Sequence, residues 1–212
     1  MRGSVLGIVV APIITSAYSL SEQGGAEFAP PWEPTLSESL GFLFSFASPE
    51  AVYATYGKLC FLVFLGFLLG LVGLYNRRRG HTGRLEKWGF RLSFVGLALN
   101  LLGNLGDYWY QGGLVESTPD FLGFLLGTLL GMFILTIGSL MLGIALLRAG
   151  EGPRLGAWLL ALAVLGYTVL GFLGFENLPS MPALWFCFAW LVLGYFLWFR
   201  GGNKAQQTTR AA

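Results

Sequence analysis

Four residues with polar chemistry to offer stand in apolar surroundings: Lys58, Asn100, Asn104 and Asp107. The stretch NLLGNLGDYW, from Asn100 to Trp109, sets two amides and a carboxylate in a run otherwise dominated by Leu and Gly. Ser93, Gly96, Asn100, Gly103 and Asp107 recur at intervals of 3, 4, 3 and 4, with Asn104 beside them. On a helix every small or polar residue of this segment then falls on one stripe, and Phe94, Val95, Leu97, Ala98, Leu101, Leu102 and Leu105 cover the remainder. Such a stripe faces protein or a wet cavity, because hydrocarbon would leave the amides unpaired. Two kinds of chemistry fit it: interhelical amide hydrogen bonds worth about 0.6–2 kcal/mol each, or a polar pocket for a small solute.

Other chemistries find little support. His81 is the single histidine and lies in a basic loop, so one chain cannot assemble a bis-histidine haem or a histidine-rich metal cluster. Cys60 and Cys187 sit in apolar runs without CxxC spacing, which points to neither a disulfide nor a reactive thiol. No nucleophile elbow, phosphate-binding loop or paired-carboxylate pattern surrounds the Ser, Thr and Asp residues. We therefore assign no catalytic, cofactor-binding or metal-binding residue and expect no cofactor.

Composition dictates the elements that must position these groups. A chain that is 55% hydrophobic and 11% charged, with mean hydropathy +0.65, is too apolar to cover itself as a soluble globule. The expectation is an all-α integral membrane protein, because in lipid every backbone amide must be satisfied internally and the runs lack the alternation of barrel strands. Five runs reach the roughly 20 residues that a bilayer core requires: Ala51–Tyr75, Trp88–Gly106, Phe121–Leu147, Leu155–Phe175 and Ala183–Phe199. A sixth, Val5–Leu20, is shorter and contains Pro12; residues 1–20 read either as a retained transmembrane helix or as a cleaved signal segment. The bundle thus has six transmembrane helices, or five after cleavage.

Charge sets the orientation. NRRRGHTGRLEK, LLRAGEGPR and the tail RGGNKAQQTTR lie on one side, whereas residues 21–50, DYWYQGGLVESTPD and ENLPSMP on the other carry no Lys or Arg. The basic loops and the tail, residues 200–212, are expected to be cytoplasmic at a plasma (inner) membrane. Ser48-Pro49-Glu50 and Thr118-Pro119-Asp120 read as helix starts, each with an N-cap, a proline at the first helical position and an acidic residue next. Within the extracytoplasmic segment 21–50, the capping box Thr35 to Glu38 precedes an apolar run that fits a short interfacial helix or a loop on the bundle. Counting about 1.5 Å per residue from Trp88 puts Asn100 at roughly 18 Å, Asn104 at roughly 24 Å and Asp107 at roughly 28 Å. Lys58, counted back from Tyr75, comes level at about 26 Å, where it either snorkels outward or pairs with Asp107; Arg91 snorkels towards the cytoplasmic face.

Shifting the chain by 70 residues aligns 48–105 with 118–175 without a gap. Pro49 then meets Pro119, Arg78 meets Arg148, Arg84 meets Arg154 and Trp88 meets Trp158, as do Gly57 and Gly127, Gly73 and Gly143, and Gly96 and Gly166. A tandem two-helix hairpin within the membrane domain 51–199 accounts for these matches, as do similar topological constraints acting twice. Lys58, Asn100, Asn104 and Asp107 align with Thr128, Leu170, Gly174 and Asn177, an asymmetry expected if the polar groups serve a local site and equally expected from drift. Gly123, Gly127, Gly131 and Gly138, with Gly66 and Gly70 on another helix, form small-residue rows suited to close helix packing. The expected function is that of a non-enzymatic polytopic membrane protein with an accessory or assembly role. The alternative is a small-solute transporter or channel whose outward-facing pocket lies between the hairpins. Membrane lipids are expected partners, nucleic acid is not, and a membrane-protein partner or a second copy of the chain is compatible with the sequence.

Overall fold

Ser48, Pro49 and Glu50 open the longest helix as their chemistry requires. The Ala51 N–H donates to Ser48 Oγ at 3.4 Å, Pro49 stands where no intrahelical N–H is needed, and Glu50 meets the positive end of the helix dipole. The computed structural model describes residues 1–20, 39, 41–43, 47–78, 83–110, 123–150, 154–170 and 184–196, and these form an all-helical bundle. The helices are α1 (Arg2–Leu20), α2 (Pro49–Arg78), α3 (Arg84–Asn104), α4 (Met132–Ala149), α5 (Arg154–Ala161), α6 (Ala163–Leu170) and α7 (Leu184–Phe196). A 3₁₀ turn, Gly41–Leu43, lies before α2, and its Leu43 carbonyl accepts from the Tyr56 hydroxyl at 3.3 Å.

Among the described residues two stretches are long and apolar enough to cross a membrane, α2 and the continuous run Phe124–Ala149; Gly3–Ile14 and Leu184–Phe196 are apolar but shorter. Each of the six expected runs coincides with helix in its described part. The run expected from Leu155 is interrupted at Leu162, yet Leu162 N–H to Trp158 O and Gly166 N–H to Leu162 O, both 2.8 Å, carry the backbone ladder from α5 into α6. A second difference lies at one end of the α3–α4 pair, where wider π turns replace α geometry over Leu105–Tyr110 and Phe124–Gly131. Gly127 in the second of these turns packs on Gly103, and Gly123 just before it packs on the backbone of Gly106 and Asp107. Helix α4 ends on Gly150, whose φ of 66° lets its N–H return to the carbonyls of Leu146 and Leu147. The Thr35–Glu38 capping box, the Thr118-Pro119 cap, His81 and the tail 200–212 lie outside the described residues.

Packing follows the small residues. Helix α1 runs antiparallel along α2 with Gly3 on Gly66 and Gly7 on Val63, and Val10, Ile13, Ile14 and Ala17 complete the contact towards Val52, Tyr53 and Tyr108. Helix α7 fills the main core. Phe186, Cys187, Ala189, Trp190 and Leu193 are buried there, Trp190 stacks on Phe67 at 6.2 Å, and the Trp185 indole N–H donates to Leu159 O at 2.7 Å. The opposite helix faces are apolar and exposed, as at Leu69 (64%), Leu102 (61%) and Phe133 (65%), whereas Asn100 and Ser139 are buried.

Candidate functional site

The polar stripe of α3 and the glycine row leading into α4 meet each other. Pairing is antiparallel and in step, with Gly89 on Leu142, Ser93 on Gly138, Gly96 on Leu135 and Gly131, and Gly103 on Gly127. The fit leaves no room for side chains. A Cβ on Gly103 would lie 2.3 Å from Gly127 Cα, one on Gly138 2.4 Å from Ser93 N, and one on Gly131 2.8 Å from Asn100 Nδ2. Backbones this close gain dispersion contacts that bulkier residues would prevent.

Asn100 is 4% exposed and donates from Nδ2 to the carbonyl of Gly96 on its own helix at 2.8 Å. Asn104 reaches across to α2, donating from Nδ2 to Gly57 O at 2.9 Å; its Oδ1 is buried without a partner among the described residues. Asp107 is buried in the π turn, within electrostatic reach of the Cys60 thiol and the Tyr108 hydroxyl. Lys58 is half-buried, and its ammonium lies over the Trp109 ring, 6.0 Å from the centroid, at the outer limit of a cation–π contact. The structure therefore gathers Asn104, Asp107 and Tyr108 against α2, sets Lys58 beside them, and seals Asn100 one turn along against Gly131.

Two further residues, Tyr53 and Tyr108, belong to this cluster, and nothing in their local sequence distinguishes them from aromatic rings that sit at helix ends near an interface. Tyr108 O–H donates to the Tyr53 hydroxyl at 2.9 Å, with the rings 5.3 Å apart and tilted by 51°. Gly57 makes room for this pair, since a Cβ there would stand 1.9 Å from Tyr108 Cδ1. The available signal was Gly57 one turn beyond Tyr53, on the helix that must receive the stripe's far end.

The C-terminal end of α2 and the N-terminal end of α3 share a second polar contact that the sequence does not disclose. Arg78 Nε donates to Glu86 Oε1, and Nη2 donates to Oε2 at 3.3 Å, with both side chains buried. Arg78 lies in the last turn of α2 and Glu86 in the first turn of α3, so each charge also complements the dipole of its own helix. The fork geometry ties the two helices together where the chain reverses.

Asn104, the Tyr108–Tyr53 pair and the Arg78–Glu86 pair bond between helices, whereas Asn100 bonds within its own. Cys60 and Cys187 are free thiols, and the described residues contain no group of three or more His, Cys, Asp or Glu that could hold a metal. A cavity of about 660 Å³ does lie between α2 and α3, lined in part by Leu71, Tyr75, Lys87 and Arg91. It is about 20 Å along the helices from Asn104, at the end that bears the ion pair. Comparison of the chain with protein-family models, with curated proteins and with solved structures finds no match.

Proposed function

We propose that this chain is a multi-pass integral membrane protein with an accessory or assembly role, in which the buried amides, hydroxyls and carboxylate hold the helices in register. The observation that carries this is the inverted distribution of polarity. Asn100, Asn104, Asp107, Thr136, Ser139 and the Arg78–Glu86 pair are buried, while Leu62, Leu69, Leu102, Leu129, Phe133 and Leu165 face outward. An apolar belt of this kind would be unstable against water and is at home in acyl chains. Six crossings follow if α1, α3, the α5–α6 run and α7 traverse the bilayer beside the two longest helices. The burial of Val10, Ile13, Ile14 and Ala17 supports counting α1 among them. The basic loops and tail then lie in the cytoplasm, and residues 21–50 outside it.

The duplicated-hairpin origin draws support from some matched environments, although Arg78 is buried where Arg148 is exposed and Gly73 is open where Gly143 is buried. Trp88 and Trp158 are exposed to nearly the same degree, Arg84 and Arg154 are both exposed, and Gly57, Gly127, Gly96 and Gly166 are all buried. Against transport stands the closure of the stripe, with Asn100 pressed on Gly131 and Asn104 engaged to Gly57.

Cysteine placed at Asn100, with Cys60 and Cys187 replaced by Ala, tests the seam. The folded protein in membranes should resist a polar, membrane-impermeant maleimide and react only after denaturation. Rapid labelling in the folded state would transfer the case to a solute pathway. Reporter fusions after Arg78, Gly113 and Arg148 should give inside, outside and inside, and a reversed pattern would refute the orientation.

A further inference from the structure

The groove between α2 and α3 combines two chemistries in a graded order. Leu71 and Val72 on one wall and Phe94 and Val95 on the other are apolar, while Lys87 and Arg91 stand one helical turn apart towards the ion-paired end. Tyr75 and Phe90, ring edge to ring face at 5.1 Å, lie between them. Its volume, about 660 Å³, falls in the range of sites that enclose small amphiphiles. Arg91 is steadied by the Trp88 ring, 5.5 Å from the centroid, which leaves its in-plane N–H edge available. Among the described residues no carboxylate pairs with Lys87 or Arg91, and neighbouring Glu86 is already bound by Arg78.

The other helix pair shows what a closed version looks like. Gly143 of α4 presses on Ala157 and Ala161 of α5, with a Cβ there 2.3 Å from Ala161 N. Shifted by 70 residues, those two alanines correspond to Lys87 and Arg91, and Gly143 to Gly73, which has open space around it. Two cations thus occupy places where alanine would let the helices close, and a groove results.

We propose that this groove binds a phospholipid with an anionic headgroup, its phosphate between Lys87 and Arg91 and an acyl chain along Leu71, Val72, Phe94 and Val95. The site presupposes the membrane placement proposed above. A headgroup phosphate supplies the acceptor oxygens that an Arg–Lys pair recognises, and the chain supplies the apolar length that a free anion lacks.

The test uses the full chain, purified in a neutral detergent and delipidated, with thermal melting followed in mixed micelles. Phosphatidylglycerol at saturation should raise the melting temperature by roughly 5–10 °C, and phosphatidylcholine or inorganic phosphate should not. The double variant Lys87→Gln/Arg91→Gln should lose most of the shift, Arg84→Gln on the same helix should keep it, and Val95→Trp should lose it by filling the apolar half. Equal stabilisation by both lipids, a shift with phosphate alone, or a shift surviving in the double variant would overturn the proposal. Extraction of the wild-type chain from cell membranes by alkaline carbonate would instead sink the membrane placement.

Discussion

The α2–α3 pair and the α4–α5 pair solve the same packing problem with different materials. The first is fastened by polar contacts at both ends: Arg78 to Glu86 at the turn, and Asn104 to Gly57 with Tyr108 to Tyr53 at the other end. Between them it stands ajar, with Gly73 in open space and a cavity beside Arg91. The second is fastened by proximity, with Gly143 seated on the backbone of Ala157 and Ala161. Where backbones touch, dispersion suffices to hold a pair; where side chains keep them apart, directional bonds must take over. The α3–α4 seam is likewise fastened by proximity: glycines set the distance, Asn100 bonds within its own helix, and Ser93 Oγ is buried without a partner among the described residues.

The strongest way to break this contrast is at the shared seam. Gly103→Leu would force a branched side chain into the Gly127 backbone, and no monodisperse bundle should be recovered by size-exclusion chromatography in detergent. Next comes the buried ion pair. Glu86→Ala takes the carboxylate away from a buried guanidinium and should cost about 3–5 kcal/mol by reversible unfolding in detergent, whereas exposed Arg148→Gln should stay within about 0.5 kcal/mol. Similar losses from Glu86→Ala and Arg148→Gln would erase the distinction between the pairs.

Asn104→Ala removes one interhelical hydrogen bond and should cost about 0.6–2 kcal/mol in the same assay; an unchanged stability would remove that contact from the outer fastening. The smallest effects sharpen the comparison most. Gly73→Ala, in open space, should stabilise by up to about 1 kcal/mol through helix propensity, while Gly143→Ala, at its aligned position, should destabilise. Equal responses would mean that the two pairs close alike.

Much of this was legible in the chain because local periodicity writes itself into sequence. The Ser48-Pro49-Glu50 start, the helical runs and the 3-4-3-4 stripe through Asn100 depend on neighbours within two turns, and the structure places helix at each described run. The same locality hid the rest. Arg78 reads as one more charge of a basic loop, since nothing at a spacing of eight residues announces a pair. Tyr53 and Tyr108, 55 residues apart, look like any aromatic at a helix end until α2 and α3 are set side by side.

What the sequence by itself determined is the content of each helix: its length, its apolar faces, its stripe of amides and its row of glycines, all consequences of 3.6 residues per turn. Only the tertiary structure decided that the stripe and the row face each other, that Asn104 bonds to Gly57 while Asn100 turns back to Gly96, and that Lys87 and Arg91 flank a groove. Contacts between distant segments depend on which faces find partners of complementary shape, and that choice is made by the whole bundle at once.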